Sequence, residues 1–419
     1  MTRMAQRLNN CPGEMALTRT QGSGQADVPA AWQLLGQFLG PMSRGFGGGE
    51  INVHGGCQSD QAHPYNWHMQ FNSDPQDFHR QLSELATQIG ARRIGVCSLD
   101  QDEALAHLDR WLAQEFMGEM QWMQRGRALR ADLSQVHPGA QRIVIAAFDY
   151  RPAGPDEWEV IQDPNAAFIS RYALGRDYHK TLRKRMKTLA SHLLEPHQFR
   201  VFSDSAPVLE KHFAEQAGLG WIGKHTLILS KDQGSWCFLA GFLTDADLPV
   251  TQAQETPRCG SCTACIDICP TQAIVAPYQL DARRCISYHT IEMDEPIPTE
   301  FREAMGNRVF GCDDCQLVCP WNRYADIGDQ EFSPRHGWEH ASLEELWALE
   351  EADFERLTAG MAIRRAGYTK FRSNLAIAIG NAPGSSDWIE RLKAETSDDA
   401  RLSEHVRWAL DQQRKKCSR

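Results

Sequence analysis

The stretch CGSCTACIDICP places Cys259, Cys262, Cys265 and Cys269 directly ahead of Pro270. Gaps of two, two and three residues before a proline are the spacing of a run that ligates [4Fe–4S] clusters. Three thiolates wrap three corners of one cube, and the proline-braced fourth points toward a neighbouring cluster. A second set is therefore required. GCDDCQLVCPWN supplies Cys312, Cys315 and Cys319 before Pro320, and ARRCISYHT supplies Cys285. Exchanging the pre-proline cysteines gives two quartets: Cys259, Cys262, Cys265 and Cys319; and Cys269, Cys285, Cys312 and Cys315. The same thiolates could hold two zinc ions, but zinc usually takes paired CxxC arms. The triple spacing and the two C-x3-C-P endings favour iron–sulfur. Cys97 and Cys237 lie in apolar, strand-like contexts and read as buried, inert thiols. Cys417 reads as a tail residue, and no role is expected for Cys11 or Cys57.

A second dense stretch is VFSDSAPVLEKHFAEQAGLGWIGKHTLILS. It puts Asp204 at the turn between a strand ending at Val201 and Phe202 and a helix opening at Pro207. Either Asp204 caps that helix, as aspartate commonly does, or its carboxyl faces the cleft at the strand's end where α/β sheets bind ligands. Residues Gly218 to Lys224 match GxxxxGK, but His225 stands where Ser or Thr would bind magnesium. The order is also helix, loop, strand rather than strand, loop, helix. A phosphate loop is excluded, and the glycines are expected to let the backbone approach a flat or bulky ligand. SRYALGRDYHKTLRKRMK joins Tyr172, Asp177, Tyr178 and His179 to a basic helix. On it Lys180, Arg183, Lys184 and Lys187 lie largely on one face. AIRRAGYTKFR adds Arg364, Arg365, Lys370 and Arg372, with Tyr368 and Phe371 interleaved. Each basic run is either a solvated face or a patch for phosphates; the aromatics lean the second toward nucleic acid.

Positioning these groups falls to an alternation of helix and strand patterns. DPQDFHRQLSELATQIG reads as a helix capped by Asp74 and Pro75 and closed by Gly90. Strands are expected at RIGVCSL, RIVIAAFDY, AAFISRYA, QFRVFSD and HTLILS into SWCFLAGFLTD, and helices over 101–117, 177–194 and 206–217. This predicts an α/β domain over 74–256, a cysteine-rich module over 257–325 and a helical region over 326–419. In the last, KFRSNLAIAIGNA and SDWIERLKAE suggest a short α-hairpin of the solenoid kind. Residues 1–73, rich in Gly, Gln and Ser, read as loosely ordered, with Met69 opening a more regular sequence. The formal net charge of -10 does not advertise nucleic-acid binding, so any such role needs a local basic patch. No apolar run approaches membrane-spanning length. MTRMAQRLNN has neither a signal-peptide core nor twin arginines, so a cytoplasmic location is expected. There, thirteen cysteines are expected to be ligands or catalytic groups rather than disulfides.

From about Asp74 to the C-terminal region the chain resembles bacterial epoxyqueuosine reductases. The resemblance rests on MGEMQWMQRGRALRADLSQVHPGAQ, SRYALGRDYHK, SDSAPVLEKHFAEQAGLGWIGKHTLIL, CISYHTIE, GCDDCQLVCPWN, KFRSNLAIAIGNA and the eight cysteines. It implies an α/β cobalamin-binding domain (an α/β sandwich), a bacterial-type two-cluster ferredoxin module and a C-terminal helical, HEAT-like region. It also implies a cobalamin between the first two, supplied with electrons by the clusters and an external donor. The cobalt would open the epoxide of the modified wobble base of tRNA, with an aspartate as general acid and loss of water. That acid falls on Asp204, which would need a raised pKa beside an apolar macrocycle. Corrin contacts fall on Arg127, Tyr172, Asp177, Ser287 and the backbone around Cys312 and Asp313. Lys180, Arg183, Lys184, Lys187, Arg364, Arg365, Lys370 and Arg372 would hold the anticodon stem-loop, and a monomer is expected. The sequence departs from the family at Asp204-Ser205-Ala206-Pro207, where DTGP is usual, at His225, where Asn is usual, and at Ala240-Gly241, where Gly-Glu is usual. Two rival readings are a reductive dehalogenase-like corrinoid enzyme, which usually carries twin arginines, and an electron-transfer ferredoxin fused to a structural domain. The latter would need neither Asp204 nor a cobalamin cleft.

Overall fold

The computed structural model describes residues 74–418 except 152, 155, 253 and 254. The N-terminal extension, with Cys11 and Cys57, lies outside the described residues. Helix α1 (Pro75–Gln88) starts where the sequence places it: Asp74 accepts from the Gln76 amide at 3.2 Å and Pro75 fills the first turn. Its buried residues Phe78, Leu82 and Ala86 recur every four positions, which puts them on one face.

That face packs on a four-stranded sheet of order β1-β2-β4-β3, from β1 (Arg93–Cys97), β2 (Arg142–Asp149), β3 (Phe199–Phe202) and β4 (Cys237–Thr244). Every neighbouring pair is antiparallel. Helix α2 (Asp102–Ala113) follows β1. Helices α1 and α3 (Tyr178–Leu193) cover one face of the sheet, where Leu182, Met186 and Leu189 join Val144, Phe148 and Phe242. Helix α4 (Glu210–Gln216) covers the other, with Phe213 and Ala214 against Ile143 and Ile145. Coverage of both faces explains why β2 and β4 read as continuous apolar runs. Two expected strands do not join this sheet. In AAFISRYA only Phe168–Ile169 is extended, and it pairs in parallel with Arg308–Phe310 of the cysteine module. HTLILS yields Ile228–Leu229, paired with Trp221–Ile222 in a short ribbon. Gly220 is needed there because a Cβ would lie 2.0 Å from the Leu229 carbonyl oxygen. Its demand is internal packing rather than ligand approach, which corrects the expectation for that glycine.

The short helices of the cysteine module include α5 (Ala264–Ile268), α6 (Ile286–Ile291) and α7 (Asp314–Leu317). Cys265, Cys285 and Cys315 share a core with Ala273, Ile274, Leu280 and Val318. In the C-terminal region α8 (Gly367–Asn381) packs on α10 (Ala400–Cys417), and α9 (Ser386–Ala394) closes the layer. Gly380 lets α8 and α10 approach, since a Cβ there would sit 2.3 Å from the Trp408 ring. Asn374 on α8 donates to the Thr290 and Val309 carbonyls at 2.9 and 3.0 Å, anchoring the helices to the cysteine module.

The units interleave in space. Ala325 and Phe332, C-terminal to the cysteine runs, pack into the first domain's core, and Asp329 and Glu331 pair with Arg185 of α3. Ala167, Ile169, Ala173 and Leu174 pack instead with the C-terminal helices. Among the described residues no helix is long and apolar enough to cross a membrane.

Candidate functional site

A basin of about 880 Å³, open to solvent, lies where the α/β domain meets the cysteine module. Its α/β wall carries Asp204, Glu210, Lys211, Phe238 and Leu239. The opposite wall carries Ser287, Cys312, Asp313 and Cys315, and Tyr172 lines it between. Six of the sequence-assigned residues (Tyr172, Asp204, Ser287, Cys312, Asp313 and Cys315) thus meet in one cavity. Part of the surface is a run of stacked rings. Tyr150 stacks on Phe238 at 4.3 Å, Phe238 on Tyr178 at 3.9 Å and Tyr178 on His179 at 4.2 Å. Such a platform is broad, flat and largely apolar.

Asp204 is not a helix cap. Helix α4 begins only at Glu210, its N-cap position is Leu209, and the intervening residues bend. The carboxyl instead accepts from the Tyr178 hydroxyl at 2.5 Å and lies 3.4 Å from His179 Nε2. Asp204 has φ +60, in the left-handed region that aspartate tolerates better than most residues. Its backbone N–H donates to Glu210 Oε1 at 2.7 Å, which holds the turn. Ala206 keeps a negative φ, so alanine in place of the family's glycine costs no backbone strain.

The surroundings of Asp204 are rich in buried ionisable groups. Burial opposes charge on His179, but hydrogen bonds to Asp177 (2.6 Å) and Asp204, with their charges, raise its pKa to about 9. Asp177 is the N-cap of α3 as well. Burial raises the pKa of its carboxyl, but the hydrogen bonds and charge of His179, with the charge of Lys180, together outweigh that and leave it lowered. Burial, and then the charge of Asp204, pushes Glu210 well above the usual carboxylate range. Burial brings Lys211 down to about 7, and its Nζ donates to the Thr226 carbonyl at 3.0 Å. His225 is fully buried and brought to about 3 by burial and the charge of Lys211, so it stays neutral.

On the other wall the pre-proline cysteines sit beside the opposite runs. Burial raises Cys265 to about 12, and the next contribution is the charge of Cys319. Cys315 is raised by burial and then by the charges of Cys269, Cys265 and Cys285. Cys312 is raised by burial, with Asp314, Arg308 and Cys315 as its charged neighbours. Cys259 and Cys262 are buried in the same module. Backbone amides point at several sulfurs: Ala273 to Cys269 at 3.2 Å, Ala264 to Cys262 at 3.5 Å, and Trp321 and Asn322 to Cys319. Inward-facing thiols with amide donors aimed at them suit thiolate ligation of clusters. Cys237 lines the basin and Cys97 lies in the sheet core; burial pushes both thiols up, so they stay protonated.

Other assigned residues stand apart. Arg127 lies away from the basin lining, gripped by Asp109 at 2.5 and 2.7 Å. Asp177 does not line the cavity; it bonds to His179, which faces Asp204. Asp313 lines the basin, but its carboxylate already accepts from Ser170 Oγ, the Arg171 amide and Gln316 Nε2. Lys180, Lys184 and Lys187 are exposed along one side of α3, with Arg183 beside them, half-buried and donating to the His179 carbonyl. The second basic run is different. Arg364 pairs with Glu355, Arg365 with Glu292, Lys370 with Asp294 and Arg372 with Glu395. Arg372 also stacks on Trp347 at 3.9 Å. Phe371 is a core residue and Tyr368 packs against that core, which removes the stacking platform expected there. Sequence reasoning missed Tyr178, His179, Glu210 and Lys211 as partners of Asp204. The DYHK and LEK stretches, ionisable groups beside apolar residues, carried that signal.

Residues 130–205 match a family described as "Epoxyqueuosine reductase QueG, DUF1730", and residues 258–322 match a "4Fe-4S double cluster binding domain". Among curated relatives, an epoxyqueuosine reductase of Pseudomonas aeruginosa is 47% identical over 342 residues, spanning 80% of this chain and 95% of the relative. One of Escherichia coli K12 is 44% identical over 349 residues, 81% and 92% of the two chains. Among solved structures, an epoxyqueuosine reductase with an epoxyqueuosine-modified tRNA-Tyr stem loop superposes with a TM-score of 0.66 at 26% identity. It covers 81% of this chain and 100% of its own. Another, from Bacillus subtilis, has its catalytic aspartate loop swung out of the active site, with the same TM-score, identity and coverage.

Proposed function

Because the chain belongs to the epoxyqueuosine reductase family, we propose that the basin between Asp204 and the Cys312–Cys315 wall is where it carries out that family's reaction. The chain is an oxidoreductase that reduces epoxyqueuosine to queuosine in tRNA. Conversion of an epoxide to an alkene takes up two electrons and two protons and releases water. One side of the site must therefore handle electrons and the other protons. The observation that carries the reading is that a carboxyl and two cluster-type thiols face one cavity.

Two [4Fe–4S] clusters would be held by Cys259, Cys262, Cys265 and Cys319, and by Cys269, Cys285, Cys312 and Cys315. The second quartet borders the basin. The lining also suits a corrin: its stacked aromatic surface and the polar groups Ser287 and Gln316 on the far wall match a flat macrocycle edged with amides. Cobalamin, when bound, supplies a low-potential cobalt centre able to act on an epoxide carbon. Asp204 delivers a proton to the epoxide oxygen as the ring opens. Tyr178 fixes the carboxyl by its 2.5 Å bond, and His179 stores a second proton at Nε2, 3.4 Å from Asp204 Oδ2. Asp177 orients that imidazole from its other nitrogen. The phosphates of the anticodon stem-loop lie along Lys180, Lys184 and Lys187. This stripe begins next to His179, so the backbone is gripped close to the reacting base. The wobble base must leave its stack to enter.

The test is anaerobic turnover with cobalamin, a reductant and tRNA carrying epoxyqueuosine, followed by mass analysis of the nucleosides. Conversion to queuosine together with a corrin absorption spectrum in the purified protein is expected. Iron without any cobalt, and no conversion, would sink the corrin reading.

A further inference from the structure

We propose that Lys224 is a positioning residue that holds the loop of the first cluster against the α/β domain and places an uncompensated positive charge beside that cluster. The inference rests on the reading that Cys259, Cys262, Cys265 and Cys319 hold one cluster. Lys224 lies in the turn between the two strands of the short ribbon of the α/β domain, yet its side chain crosses to the cysteine module. Its Nζ donates to the carbonyls of Gly260 and Cys262, both at 2.8 Å. The residue is only 8% exposed. Both of these acceptors are neutral backbone carbonyls rather than carboxylates. A buried ammonium balanced only by carbonyl dipoles is an expensive arrangement. It makes sense beside a negative group, and a cluster ligated by four thiolates carries negative charge that grows on reduction. The charge of Lys224 also acts on Cys265, a third ligand of that quartet.

The second quartet has a cation too, but a neutralised one. Arg308, beside Cys312, is bound by Asp314 through two hydrogen bonds of 2.7 and 2.5 Å. The two clusters therefore sit in different fields: a net positive charge at the one remote from the basin, and a neutral pair at the one that borders it. A positive charge favours the reduced form, so Lys224 raises the potential of the outer cluster and eases its reduction by an external donor.

The test is a potentiometric titration followed by electron paramagnetic resonance on Lys224→Gln, Lys224→Arg and the unmodified holoprotein. The unmodified protein should show two reduction waves. In Lys224→Gln one wave should move to more negative potential while the other stays, with iron and sulfide content unchanged. Lys224→Arg should restore the moved wave most of the way. Two waves that Lys224→Gln leaves in place, or that Gln and Arg shift alike, would overturn the inference. So would loss of the first cluster in both Lys224→Gln and Lys224→Arg, because the charge that Arg retains would then not be what Lys224 supplies. Fewer than two waves in the unmodified protein would instead overturn the two-cluster reading beneath it.

Discussion

The wall that carries Asp204 and the wall that carries Cys312 and Cys315 reach the same cavity by different means. The cysteine wall is local. Seven of its eight thiols come from two short runs in which gaps of two and three residues set the angles around a cluster. The acid wall is assembled at long range: Tyr178 and His179 start α3, Asp204 follows β3, and Glu210 opens α4. Cluster ligation needs a rigid loop geometry that a contiguous motif can supply. Proton handling needs several ionisable groups held a few ångströms apart in a buried site, which only the packing of separate elements achieves. The acid wall should consequently be the more sensitive to pH and to second-site changes, and the cysteine wall the more all-or-none.

Substitutions on each wall can break that comparison. Cys315→Ser should remove the cluster that borders the basin, lower the iron content by about half and abolish turnover. Asp204→Asn should lower turnover by about 10²- to 10⁴-fold, the usual worth of a general acid, and leave iron content and cluster spectra unchanged. If Asp204→Asn also strips iron, the walls are not separable.

The next largest effect is on stability against pH. His179 has its pKa raised from 6.5 to about 9 in the folded protein. The stabilisation from its bound proton is therefore fully present below about pH 6.5 and lost as pH rises through about 9. The difference amounts to about 3 kcal/mol. Denaturant unfolding at pH 6.5 and pH 9.5 should show the loss in the parent protein and a flatter response in His179→Gln. Equal slopes in the two would remove the Asp177–His179–Asp204 chain from the account.

Tyr178→Phe deletes the 2.5 Å bond to Asp204 and should cost turnover about tenfold, in line with ~1 to 1.5 kcal/mol for a hydrogen bond. The smallest effects separate the two basic runs. Replacing Lys180, Lys184 and Lys187 by alanine should weaken tRNA binding and flatten its salt dependence by about one unit of slope per lost phosphate contact. Replacing Arg364 or Arg365, already paired with Glu355 and Glu292, should change affinity by less than about threefold on the weak-pair scale. Equal effects from both runs, measured by titration at several salt concentrations, would return the second run to the interface.

Legibility in the sequence followed the same division. The cysteine runs could be read because their chemistry depends on spacing. Helices α1 and α3 were legible from caps and periodicity. The strand at AAFISRYA was not, because its apolar residues are buried against the C-terminal helices rather than in the main sheet. Asp204 could be located, but cap and cleft readings stayed open until α4 was seen to begin at Glu210. The second basic run misled for a physical reason: its acidic partners lie elsewhere in the chain, from Glu292 to Glu395, and a local charge count cannot pair them. Arg127 is of the same kind, paired with Asp109 on a neighbouring helix.

A single-turnover experiment addresses the central claim, that acid and electrons meet across this one basin. Anaerobically reduced Asp204→Asn protein, its clusters and corrin intact by spectroscopy, is mixed with tRNA carrying epoxyqueuosine, and the nucleosides are analysed by mass. No queuosine should form on the timescale in which the parent protein completes its turnover. Conversion by Asp204→Asn at the parent rate would contradict that claim and place the proton source elsewhere.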